Sequence, residues 1–233
     1  MKLLKIVLPV CCVLTVTMAL SACRKKPPVP GPPDPSAEEY SVANKIASDL
    51  SAALGEMKIL SEESGAAVPR RVTNQNGMQV ALADANNRLI RLEDKEATGT
   101  VTVPEGDYSN RDFIFDAPNA DVTVDASVGK VTIRQANENG CTLNGHAETV
   151  FVCGGDLNVT LRGGADKLYV SGRNANVVLE EGDYPVVYCD NVTDVISNKT
   201  KNDLLLILPN GTGTEIPAGK MYVMETGKLK GAH

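Results

Sequence analysis

The chain has 233 residues, with 23 basic against 29 acidic side chains and a net charge of −6. This is enough chain for one core-bearing domain, and the acidic balance presents no basic face of the kind nucleic acid needs. Two histidines and no tryptophan leave little material for a zinc site, a histidine-activated nucleophile or an aromatic track for sugars. The reading therefore predicts no metal, no cofactor and no nucleic-acid partner.

Lys2 and Lys5 precede an apolar stretch from Ile6 to Leu20, which is too short to span a bilayer comfortably and has the order of a signal peptide. It ends in Leu20-Ser21-Ala22-Cys23, which resembles the bacterial lipobox. That resemblance implies a signal peptide over 1–22 and a diacylated Cys23 as the mature N-terminus. It also implies a membrane partner reached through lipid (palmitate-type chains) on the extracytoplasmic face. An ordinary secretory signal with an incidental cysteine is the plainer alternative. Cleavage would remove Lys2 and Lys5, leaving 21 basic and 29 acidic residues, a charge of −8. Arg24-Lys25-Lys26 then either touches anionic headgroups or opens a solvated stalk. Residues 27–35 hold six prolines, which cannot join a helix or a ladder and favour extended polyproline II. Residues 23–35 thus read as a lipidated cysteine on a semi-rigid stalk.

Residues 36–62 read as an amphipathic helix. Ser36 and Glu39 form a capping-box pattern, and Val42, Ile46, Leu50, Leu54 and Met57 share one stripe. The stripe either packs on the following domain, capping an open end of it, or drives self-association. The domain itself is expected over 70–233. Met78 to Ala83 and Leu89 to Leu92, around Asn86-Asn87, read as strands of an irregular first coil. Val101 and Val103 lie about one repeat before Val131 and Ile133.

From Phe113 the chain repeats itself at an offset of about 27–28 residues. Phe113 to Ala117 is echoed by Cys141 to Gly145, Leu168 to Gly172 and Val195 to Asn198. Val122 to Ala126 returns as Val150 to Gly154, Val177 to Glu181 and Leu204 to Leu208. Val131 to Arg134 returns as Val159 to Arg162 and Val186 to Cys189. Three short strands per repeat predict a parallel β-helix, mainly β, with right-handed winding from the general crossover preference. A β-sandwich is the rival, though it does not require every third strand to resemble the first. Alternation points Phe113, Phe115, Val122, Val124, Val131 and Ile133 inward, and Thr123, Asp125, Thr132 and Arg134 outward. Ile216 to Leu229 reads as a closing segment.

This register makes three outward columns. Asp116, Asn144, Ser171 and Asn198 share one, and Arg134 and Arg162 share another. The third holds Thr123, Phe151, Val178 and Leu205, with Ile207 beside it, and is unexpectedly apolar for a free solenoid face. Its cover would be the 36–60 helix, the segment Arg70 to Leu92, or another protein, which makes Phe151, Val178, Leu205 and Ile207 the candidate partner-contact face. The same register points Cys141 inward and Cys153 and Cys189 outward on different faces, with no pair placed for a disulfide. His146 falls at a corner. The Asn-x-Thr sites at Asn158, Asn191, Asn198 and Asn210 read as turn and strand chemistry.

The coils over about 99–210 resemble the pectin-lyase-like right-handed β-helix. The run from Gly106 to Asn119, followed by Val122-Thr-Val and Val131-Thr-Ile, resembles the opening of β-helix lipoproteins and surface proteins of gut clostridia. Pectate lyases of this fold use clustered acidic Ca²⁺ ligands beside an Arg or Lys base. Here Asp116 has no second carboxylate in its column, and the arginines fall elsewhere. The expectation is therefore a membrane-anchored, extracytoplasmic, non-enzymatic scaffold or binding module of the bacterial envelope, on the outer membrane or the periplasmic side where a host has two membranes. Its partner is an envelope polysaccharide or a protein. A polysaccharide lyase or hydrolase and a polymer-forming solenoid are the alternatives.

Overall fold

A computed structural model describes residues 68–93, 99–136, 140–189, 194–208 and 213–232. Cys23, the stalk expected over 23–35 and the helix expected over 36–62 therefore lie outside the described residues. In chain order the elements open with β1 (Arg70–Val72), α1 (Gln75–Ala83), β2 (Leu89–Glu93), β3 (Gly99–Val103) and β4 (Asp107–Tyr108). The coils proper follow as β5 (Asp112–Asp116), β6 (Ala120–Val124), β7 (Ser127–Gln135), β8 (Cys141–Leu143), β9 (Ala147–Val152) and β10 (Asn158–Leu161). They continue through β11 (Ala165–Val170), β12 (Asn176–Leu179), β13 (Val187–Cys189), β14 (Val195–Asn198) and β15 (Leu204–Ile207). The chain closes with β16 (Gly213–Ile216), β17 (Lys220–Val223) and β18 (Lys228–Gly231).

The architecture is a parallel β-solenoid of about seven turns. From β5 to β15 successive strands alternate between two sheets. The first runs β1-β2-β5-β7-β9-β11-β13-β15-β16, with β4 beside β7, and the second runs β3-β6-β8-β10-β12-β14-β17-β18. The turn length follows from the register. Phe113 pairs with Val131, Val131 with Val150, Val150 with Leu168, Leu168 with Val187 and Val187 with Leu206. Two main strands thus make a turn, and each step advances the numbering by 18 or 19. This corrects the expected coil of three strands at the longer offset. That offset is one and a half turns, and it matched strands of one sheet to strands of the other. The two were confusable because both sheets alternate inward apolar with outward polar residues.

The inward set is largely as the alternation predicts. Phe113, Phe115, Val122, Val124, Val131 and Ile133 are all buried, and so are Val152, Leu179 and Leu206. Each β-branched or leucine side chain sits directly over its partner one turn away, about 4.8 Å off, and full burial stabilises by about 1.5–3 kcal/mol apiece. Two strands slip by one residue against the expected pattern, which exchanges their faces. In β13, Val187 and Cys189 face the core while Tyr188 faces out; in β14, Ile196 and Asn198 face in. Cys189 is therefore a core residue, 3.5 Å from the Asp194 carboxylate, rather than an outward one. Cys141 is buried and Cys153 exposed as expected, and among the described residues no cysteine is in a disulfide. Burial pushes the Cys141 thiol well above its ordinary range.

Gly145, Gly154, Gly163 and Gly172 stand at corners where one turn passes directly over the next. A Cβ at Gly154 would strike the Arg134 carbonyl, and one at Gly172 would strike the Gly154 carbonyl. Asp156 and Asn174 take left-handed backbone (φ 56° and 60°) one turn apart, and the Asn174 amide donates to Asp156 Oδ1 at 2.9 Å. These residue types tolerate that conformation best after glycine.

Both ends of the stack are covered. Met78 to Ala83, expected as strand, belongs to α1. Asn74 caps it by accepting from Gly77 N, and Met78, Ala81 and Leu82 bury one face of it. Gln75 donates to Thr102 O at 3.1 Å and accepts from Thr102 N at 2.6 Å, occupying the free edge of β3. β3 pairs in register with β6, Val101 on Val122 and Val103 on Val124. At the other end β16, β17 and β18 pair antiparallel with their neighbours, so the closing segment expected over 216–229 is present as a strand hairpin.

Candidate functional site: the outer faces

Outside the core, the side chains at strand centres form two long columns, one on each sheet. On the second sheet Thr102, Thr123, Thr142, Thr160 and Val178 follow one another in register and are all half-exposed. On the first sheet the column runs Arg91, Ile114, Thr132, Phe151, Tyr169, Tyr188, Ile207. Every one of these seven is buried. The rings of Phe151 and Tyr169 stack at 5.2 Å between centroids, and those of Tyr169 and Tyr188 at 4.8 Å.

The expected contact face therefore divides. Phe151 and Ile207 belong to the first-sheet column, and Leu205 lies one position aside on the same sheet and is exposed. Val178 sits on the other sheet among threonines, as does Thr123. Tyr169 and Tyr188 are the members that the sequence reading missed. They stand one and two turns after Phe151, positions that the longer spacing skips.

The polar column expected from Asp116, Asn144, Ser171 and Asn198 is likewise not one column. Asp116 and Ser171 adjoin strands of the first sheet, whereas Asn144 and Asn198 belong to the second. Asp116 is held by Arg91, Nη2 to Oδ2 at 2.6 Å, and Arg91 also reaches Glu93 at 3.2 Å. Asn198 is fully buried. Its amide donates to the carbonyls of Asn202 (2.8 Å) and Ile216 (2.9 Å), and its Oδ1 accepts from Thr200 N and Oγ1 at 3.0 and 2.7 Å. It is the hydrogen-bonded centre of a corner.

Arg134 and Arg162 lie on different sheets. The stack that does exist is Asp125, Asn144, Arg162 and Glu180, one turn apart at each step along the edge of the second sheet. Asn144 donates to Asp125 Oδ1 at 2.6 Å. Arg162 donates to Glu180 Oε2 at 2.7 Å and to Asn144 Oδ1 at 3.3 Å. Each carboxylate thus has a cationic or amide partner one turn away, which stabilises a solvent-facing edge modestly.

A shallow, open depression beside this edge is lined by Glu180, Glu181, Gly182, Asp183, Thr200 and Asn202. Nearby, the Glu215 carboxyl is held above its ordinary range, first by desolvation and then by hydrogen bonding to and repulsion from Asp203. His146 is exposed at a corner and reaches Asp166 at 3.4 Å. Among the described residues no three His, Cys, Asp or Glu side chains converge to hold a metal ion, and no helix is long and apolar enough to cross a membrane. No family model matches this chain, and no curated protein or solved structure matches it.

Proposed function

We propose that this chain is a lipid-anchored, extracytoplasmic β-solenoid that serves the bacterial envelope as a non-enzymatic scaffold or binding module. The anchor rests on Leu20-Ser-Ala-Cys23 and the proline stalk behind it, and right-handed winding rests on the general crossover preference. The observation that carries the non-enzymatic reading is the engagement of Asp116 by Arg91 at 2.6 Å. A lyase needs a carboxylate cluster free to take Ca²⁺ beside a base, and a glycosidase needs two carboxyl groups with separated pKa values facing one substrate. Here the edge carboxylates Asp125 and Glu180 are engaged by Asn144 and Arg162. The covered ends, Gln75 on β3 and the hairpin beyond β15, argue against end-to-end polymerisation.

Residues 24–233 are expected to release no product from acidic or neutral polysaccharides, with or without Ca²⁺, while still retaining an envelope polysaccharide or protein in pull-down. Product release that disappears in Asp116→Asn, with thermal unfolding unchanged, would replace this reading with the enzyme.

A further inference from the structure

The hairpin that closes the coils leaves an edge of its own. At one end of the second sheet Gln75 holds the edge of β3 through Thr102. At the other end stands β18, all four of its residues exposed. Among the described residues β18 pairs only with β17, antiparallel, with Met221 opposite Lys230 and Tyr222 opposite Leu229. The Ala232 N–H donates to Gly219 O at 3.0 Å, which sets the alternation of this ladder. Lys228 and Lys230 therefore turn their backbone groups toward β17, whereas Leu229 and Gly231 turn theirs outward. These outward N–H and C=O groups form a template for one more strand.

The two sides of the edge differ in chemistry. Leu229 continues the inward column of Ile196 and Tyr222. Tyr222 is 8 % exposed but Leu229 is 45 % exposed, because no described strand lies beyond it. Lys228 and Lys230 flank Leu229 and, by alternation, belong to the opposite side of the sheet. Neither is held in an ion pair among the described residues. From Lys220 to Lys230 three lysines stand against one glutamate, in a chain that is acidic overall.

We propose that β18 is a docking edge for an extended acidic segment of a partner protein, which adds to the second sheet as an antiparallel strand alternating carboxylate with apolar residues. Its backbone meets the free groups of Leu229 and Gly231. An apolar side chain opposite Leu229 extends the core column by one rung, and carboxylates opposite Lys228 and Lys230 make cross-strand ion pairs. The direction follows from β14, β17 and β18, which already pair antiparallel, the arrangement slightly more stable per residue. A second copy is the wrong occupant, since pairing centred on Leu229 or Lys230 sets lysine against lysine. A lipid surface would attract the lysines but offers no alternating row of donors and acceptors to Leu229 and Gly231. The inference rests on the binding-module reading and names the chemistry of its partner.

The test uses the full chain in non-ionic detergent and a labelled synthetic peptide alternating Glu and Val, followed by fluorescence anisotropy at low salt. Saturable binding is expected, with slowed amide exchange at Leu229 and Gly231. The double variant Lys228→Glu with Lys230→Glu, on an exposed strand, should melt as the wild type does. It is expected to bind this peptide about tenfold more weakly, the scale of two reversed cross-strand pairs, and to bind the matching Lys-Val peptide instead. The backbone is tested separately. In the antiparallel register the valines bond to β18, so N-methylation of the valines should abolish binding and N-methylation of the glutamates should not. No binding, equal binding by both lysine forms, or the opposite N-methyl pattern would each overturn the proposal. So would dimers linked through β18, or slowed exchange at these amides on adding phosphatidylglycerol to the micelles while the peptide has no effect. Each of these results is independent of acylation and of polysaccharide retention or cleavage, so this inference and the reading beneath it fail separately.

Discussion

Val152→Asp is expected to abolish the cooperative fold or lower its melting temperature by more than about 10 °C. Val152 is fully buried between Ile133 and Val170 of the neighbouring turns, with apolar side chains above and below. A carboxylate there gains no partner and must be desolvated or protonated, at a cost of about 4 kcal/mol or more. For a domain of this size about 1 kcal/mol moves the midpoint by about 2–4 °C. Thr160→Asp, half-exposed on the outer column of the second sheet, should cost under about 1 kcal/mol. Calorimetry of the two variants decides the matter, and shifts of similar size would refute the inward and outward assignment.

The second large effect is at a corner. Gly154→Ala would place its Cβ against the Arg134 carbonyl of the preceding turn and within 2.7 Å of Leu157 Cδ1. The obstacle is backbone, so the turns must separate locally, and the expected loss is about 3 kcal/mol. The neighbouring Gly155→Ala is its control. There the nearest atom is Arg173 O at 3.6 Å, an ordinary contact, and the change should lie within about 0.5 kcal/mol. Denaturant midpoints at unchanged slope would show the contrast, and equal midpoints would contradict the stacking of 154 on 134.

That same stacking explains what was legible before the fold was known. Alternation in Phe113-Ile-Phe, Val122-Thr-Val and Val131-Thr-Ile identified the core side of each strand, because a strand buried on one face has period two whatever its neighbours. The turn length was misread because period two is the same in both sheets. A spacing of one and a half turns therefore aligns apolar with apolar almost as well as a full turn. The error propagated to the surface. It put Val178 beside Phe151, hid Tyr169 and Tyr188, and turned Cys189 and Asn198 outward. A search at the true turn length finds Phe151, Tyr169, Tyr188 and Ile207 directly.

The helix α1 was misread for a different reason. Met78-Gln-Val-Ala-Leu-Ala mixes both periodicities, but Asn74 before it, with Met78, Ala81 and Leu82 at helical spacing, carried the correct signal. The ladder from Asp125 to Glu180 was not legible at all, since its members share no residue type and meet only once the turn is known.

Membrane attachment through an acylated Cys23 is the proposed working state of this solenoid. It is tested most directly by expressing the full chain and Cys23→Ser in a bacterium and following processing, detergent partitioning and the mass of the N-terminal peptide. A chain cut before Cys23 and carrying two or three acyl chains binds far more firmly than a singly acylated one. The wild type is therefore expected in the detergent phase, with an N-terminal peptide heavier by its lipid. Cys23→Ser is expected to stay uncleaved by the lipoprotein pathway and to partition differently. Identical mobility and partitioning of the two proteins, with an unmodified Cys23, would contradict the account.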